Sequence, residues 1–176
     1  MRISAPASYR DVSNHQAEFA DFFAASWDRC LRAVVAVAGS SEQAEDQVAE
    51  AFARAWTSWP KVRRHPAPRA WVVRTALNTG ASWWRRRGRE LPLAGHDVAV
   101  PGDPGSGLDA PLLTAIWRLP ARQREVIALR IFLDLDTTDI ASQLGIEAGT
   151  VRMHLSRGIS ALRRELMPAS ITEAGL

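Results

Sequence analysis

Along the first ninety residues the apolar positions recur at helical spacing. Phe19, Phe22, Phe23, Trp27, Leu31 and Val34 step along one face, which predicts a helix from His15 to Val37. Ser41 can cap the next helix, in which Val48, Phe52 and Trp56 recur every four residues up to about Trp59. The stretch KVRRHPAP breaks the period with two prolines. A third helix is expected from near Arg69, through Trp71, Arg74, Asn78 and Trp83, into the cluster Arg85–Arg87. The pattern resumes at Leu112 to Trp117 and stops at Pro120. It restarts in ARQREVIALRIF, where Val126, Ile127 and Ile131 can share a face. Along the final helix, Val151, Leu155, Ile159, Leu162 and Leu166 form a stripe expected to be core rather than a dimer seam. No segment alternates in the manner of a strand, so the fold class is all-α.

The segment 93–110 carries glycine, proline and aspartate without a helical period. It predicts a flexible linker between two small helical domains, at 12–92 and 111–167. Its length argues against a simple surface loop.

Within the second domain, IASQLGIEAGTVRMHLSRG places Ala141, Gly145 and Val151 where a helix-turn-helix needs a close approach, a turn with positive φ and a packing residue. The first helix of the pair should end at Gly145 and the second begin around Glu147. Thr150 then lies near a helix start, where a phosphate is favoured, and Arg152 and Arg157 can reach guanine edges or phosphates. An ordinary helical hairpin with solvated arginines is the alternative, and the joint spacing favours DNA.

Charge sharpens this picture. The net charge is only +3, yet nine basic residues and no acidic one lie between Lys61 and Arg89, after the acidic SEQAEDQVAE. Aromatic residues interleave with those arginines, as a track for single-stranded nucleic acid requires. Trp56 and Trp71 are expected to pack the first bundle. Trp83 and Trp84 are adjacent on a helix and cannot both face one core, which leaves packing and base stacking both open for the pair. Arginine outnumbers lysine twenty-one to one, which fits phosphate recognition and a GC-rich genome equally well.

The blocks AEDQVAEAFARAW and PRAWVVRTALNTGASWWRRR, followed after the linker by LPARQREVIALRIFLDLDTTDIASQLGIEAGTVRMHLSRGISALRREL, resemble regions two and four of bacterial sigma factors of the extracytoplasmic-function group. The resemblance spans roughly Phe19 to Leu166. It implies a transcription initiation factor that binds core RNA polymerase, through the β′ clamp helices and the β flap, directs it to promoter DNA and assists melting. By that resemblance Asp46, Gln47, Glu50 and Phe52 fall where the family docks on the β′ clamp. Trp71, Arg74 and Asn78, with the downstream Arg85 and Arg86, fall on the helix facing the minus-10 element, with Asn78 beside a pocket for a flipped base. Arg152, Met153, Ser156 and Arg157, with Thr150 at the helix start, fall on the minus-35 reading helix, and Arg130 falls where the family supports it. Family members are commonly held by an anti-sigma protein. Two departures stand out. The loop KVRRHPAPRAW lacks the phenylalanine-arginine-glycine signature common before the minus-10 helix, and Met153, His154 and Ser156 differ from frequent choices in the reading helix.

Other classes fit less well. His15, His65, His96 and His154 have no metal spacing, no phosphate-binding glycine loop or nucleophile elbow is present, and no cofactor, metal or catalytic site is expected. A dimeric regulator would share the second domain, but its usual α/β receiver or ligand-binding strands have no counterpart in the first. A third reading is an adaptor whose two lobes grip another protein. One cysteine, Cys30, permits no internal disulfide and is expected to be a small buried apolar group. With no apolar run near ~18 residues and no signal core, a soluble cytoplasmic protein without membrane insertion is expected. The tail MPASITEAGL is expected to be a frayed end.

Overall fold

The computed structural model describes residues 7–38, 41–87 and 109–167, with side chains described over 14–38, 43–79 and 109–167. Eight helices account for nearly all of these residues: α1 (Ala7–Ala38), α2 (Ser41–Thr57), α3 (Trp59–Val62), α4 (Pro68–Arg87), α5 (Ala110–Trp117), α6 (Ala121–Leu133), α7 (Thr137–Leu144) and α8 (Ala148–Leu166). No strand occurs among the described residues. Most of the linker, the tail and the side chains of Trp83, Trp84, Arg85 and Arg86 lie outside the described residues.

Helix α1 begins two turns before the expected His15. The apolar stripe starts only at Phe19, yet residues 7–14 hold no glycine or proline to stop the helix from running back. At the other boundary, α2 ends at Thr57 and the single turn α3 starts again at Trp59 with a proline in its first turn, the one helical position that tolerates it.

The first bundle is built by α1, α2 and α4. Its packing centre is aromatic: Phe52 lies 4.9 Å from Phe23, edge to face, 5.7 Å from Trp27 and 5.9 Å from Phe22, between ring centroids. Cys30 is fully buried, and burial pushes its thiol up to about 12 despite the nearby Arg69 guanidinium. It therefore stays protonated, and alkylating reagents at pH 8 should modify it only after denaturant opens the bundle. The folded state holds this proton above the pH at which an unfolded thiol releases it. Stability should fall as pH rises from about 9 toward 12, and a Cys30→Ser variant should lose that portion of the alkaline decline in a urea titration.

The second bundle packs α8 on α5, α6 and α7. The α8 residues actually buried are Val151, Gly158 and Leu162. Leu155 is half-buried, and Ile159 and Leu166 are exposed, so the predicted five-residue stripe is only partly core. Gly158 explains the offset. A Cβ at Gly158 would lie 2.9 Å from Ile127 Cγ1, so this glycine lets α8 settle directly on α6. Ile131, expected on the packed face of α6, is exposed instead. The buried run there is Val126, Ile127, Ala128 and Leu129, which covers every side of the helix.

That run has a structural cause. Helix α6 packs on α8 within its own bundle and also on α1 of the first, so the two lobes are docked rather than held only by a tether. Ala33, Val34, Val35 and Ala36 form the matching all-round apolar turn of α1. Burial on two faces needs apolar residues on both.

Candidate nucleic-acid interface

The helix-turn-helix forms as expected. Asp136 caps α7, its carboxylate accepting from the Asp139 N–H at 2.7 Å. Gly145 ends the helix at φ 64 and ψ 39, and its N–H returns to the Ala141 carbonyl, the left-handed stop that glycine provides without strain. A Cβ there would meet no atom within 4 Å, so the demand for glycine comes from backbone geometry alone. Val151 is fully buried between the helices, and Ala141 is half-buried. α8 therefore presents Arg152, Met153, Ser156 and Arg157 to solvent, with Thr150 half-buried in its first turn. Arg130 is also exposed, and its guanidinium donates to the Leu135 carbonyl at 2.9 Å. This braces the α6–α7 turn beside Asp134, whose φ of 55 is positive.

On α4, Arg74 and Asn78 are exposed and Trp71 is half-buried against the core, as expected for Trp71. The basic loop before α4 is anchored rather than loose. Arg63 pairs with Glu18 at 3.1 Å, Arg69 Nε donates to Ser26 Oγ at 3.1 Å, and His65 Nδ1 accepts from the Ala67 N–H. Its shape is thus dictated by α1 and by its own prolines.

The proposed docking face of α2 divides. Asp46 and Glu50 are exposed, with Glu50 paired to Arg54 at 2.8 Å. Phe52 and Gln47 are buried, and Gln47 Oε1 has no hydrogen-bond partner among the described residues. Position in a helical motif does not reveal which face a residue takes once two helices pack on it. Trp56 errs the other way. Expected inside the bundle, it is 43% exposed, and with Phe19, Phe23 and Gln16 it lines an open apolar groove. A helix packed through Val48, Phe52 and Ala55 leaves Trp56 at the edge of the stripe.

Among the described residues no group of three or more histidine, cysteine, aspartate or glutamate side chains could hold a metal ion. No helix among them is long and apolar enough to cross a membrane.

Two family models match the chain in order: sigma-70 region 2 over residues 24–90 and sigma-70 region 4 over 109–162. The chain is 31% identical to the ECF RNA polymerase sigma factor SigL of Mycobacterium tuberculosis, covering 97% of this chain and 98% of that protein. It is 28% identical to the RNA polymerase sigma-E factor of Streptomyces coelicolor, covering 90% and 92%. Its fold is similar to that of the sigma factor RpoE in a co-crystal structure with the anti-sigma factor NepR from Bartonella quintana. The TM-score is 0.69 at 24% identity, covering 86% of this chain and 98% of that one. With both regions present in order and a full-length relative above 30% identity, the chain belongs to the extracytoplasmic-function sigma factors of the sigma-70 family, initiation factors that bind RNA polymerase and direct it to promoters.

Proposed function

We propose that this sigma factor reads two promoter elements with two separate helices and helps open the DNA between them. α8 reads the minus-35 duplex through Arg152, Met153, Ser156 and Arg157, with Thr150 on a phosphate and Arg130 holding the turn beneath. α4 engages the minus-10 strand through Arg74 and Asn78, with Trp71 as its packed support and Arg85 and Arg86 continuing the cationic track. The exposed carboxylates of Asp46 and Glu50 on α2 meet the β′ clamp helices, and the second lobe meets the β flap. The protein acts in the cytoplasm as a binding factor without catalysis of its own. An anti-sigma protein is a further partner in this reading, as NepR is for the Bartonella factor. The observation that carries the proposal is the disposition of α8, whose packing side chains and exposed arginines separate onto different faces.

Run-off transcription with purified core enzyme tests the function as a whole. A dimeric regulator would bind duplex tightly by itself and give no run-off product. Asp46→Arg and Glu50→Arg should each weaken core binding roughly tenfold or more, because reversing a charge opposite a complementary surface adds repulsion as well as removing attraction. Both residues are exposed, so melting temperatures should stay near the parent value. Unchanged core affinity in both variants would remove this face from the proposal.

A further inference from the structure

Four helices line a cleft of about 310 Å³. Val37 of α1, Val73 and Leu77 of α4, Leu129 of α6 and Leu144 of α7 give it an aliphatic wall. No aromatic side chain lines it among the described residues, so nothing is placed to stack on a nucleobase or another ring. Its polar groups are few and uneven in charge. Arg122 is already paired with Glu125 at 2.7 Å. Arg74 directs one nitrogen to a backbone carbonyl, that of Gln143, at 2.7 Å, and pairs with no carboxylate among the described residues. Gln143 is only 8% exposed, yet its side-chain amide makes no hydrogen bond among the described residues. A buried amide is rarely left unpaired, and this residue borders a cavity that a polar ligand atom can enter.

We propose that this cleft is a binding site for a small aliphatic monocarboxylate. The acyl chain lies against the aliphatic wall, the carboxylate meets the Arg74 guanidinium, and the Gln143 amide donates an N–H to the same head group. Charge sets the ligand class. With Arg122 neutralised by Glu125, Arg74 offers a match for one negative charge and not two. Volume sets the length. The cleft has about twice the ~150 Å³ of an apolar cavity that takes up benzene, room for an acyl chain of about eight carbons. Burying that chain removes apolar surface from water, and the carboxylate gains charge-assisted hydrogen bonds. Binding requires the cleft alone and is independent of how α4 meets a promoter.

Octanoate is the probe, titrated into the full-length protein by isothermal calorimetry. Octanamide is its neutral counterpart, and suberate carries a second carboxylate at the far end of the same chain. The parent should bind a single octanoate with a dissociation constant of about 0.1–1 mM, an ordinary affinity for about ten heavy atoms. Octanamide should bind about tenfold more weakly, having lost the charge on its hydrogen bonds. Suberate should not bind measurably, because its second carboxylate would face the aliphatic wall.

Three variants locate the site. Arg74→Leu should weaken octanoate about tenfold and erase its advantage over octanamide. Gln143→Leu should weaken both ligands alike, since the amide serves either head group. Leu77→Trp fills the cleft and should abolish binding of both. The last two variants keep the bond from Arg74 to the backbone of residue 143, so their losses report on the cleft itself. A parent that does not bind octanoate, or binds it no better than octanamide, would overturn the assignment. So would a preference for the carboxylate that survives Arg74→Leu. Undiminished binding in Leu77→Trp, or more than one octanoate per chain, would place the ligand elsewhere and overturn it equally.

Discussion

Phe52→Ala is expected to destabilise the first bundle by about 3–5 kcal/mol, the cost of removing a buried aromatic ring that its surroundings cannot fill. The ring is 2% exposed and touches three other aromatic residues, from α1 on one side of the cluster. Against a total stability of about 5–15 kcal/mol this is a large fraction, and the melting temperature should fall by roughly 2–4 °C for each kcal/mol lost in a chain of this size. Core polymerase binding should fall in step with the loss of folded protein. The contrast with Asp46→Arg is the informative part, since that variant should lose affinity while melting normally. A Phe52→Ala protein that melts like the parent yet fails to bind polymerase would make Phe52 a direct contact and the packing account wrong.

Arg152→Ala should cost about 1–3 kcal/mol of minus-35 discrimination at a single base position, whereas Arg157→Ala should weaken binding to all sequences alike. Both side chains are exposed on α8. Five residues of helix turn them about 140° apart, so they cannot address the same line along the groove. On the proposed reading Arg152, which follows the buried Val151 and stands nearer the helix start, enters the groove, while Arg157 meets the phosphates. Competition binding by holoenzyme with single-base variants of the minus-35 element separates the two effects. Position-specific loss from Arg157→Ala, or uniform loss from Arg152→Ala, would reverse the assignment.

Much of the helical layout was legible because each helix keeps its period and each break has a chemical cause. Gly145, Pro120 and the prolines at 66 and 68 mark three boundaries directly. The docking of the lobes was not foreseen, although its trace is in the sequence. The runs AVVA in α1 and VIAL in α6 are apolar on every side, and a helix with one buried face does not need that. A stripe search keeps only the residues that fit one period and discards this excess. A motif named the candidate residues but not the face each one takes. Asp46 and Glu50 stand exposed as their charge requires, but Phe52 and Gln47 share their helix and are buried. Trp56 could not be placed from its spacing alone, because a residue at the edge of a stripe is buried only where a neighbour reaches it.

The contact between Gly158 and Ile127 bears on how such a protein changes its targets over time. Val151, Gly158 and Leu162 hold α8 to the body of the molecule, and none of them belongs to the exposed set Arg152, Met153, Ser156 and Arg157. Substitutions in the exposed set can accumulate without disturbing the seat of the helix, so on the proposed reading new minus-35 preferences are accessible by single steps at little cost in stability. A side chain at Gly158 would push against the fully buried Ile127, so α6 or α8 would have to shift, and the exposed residues of α8 would shift with it. On the proposed reading, minus-35 preference drifts on the outward face of α8, with one glycine fixing the frame in which that drift is read.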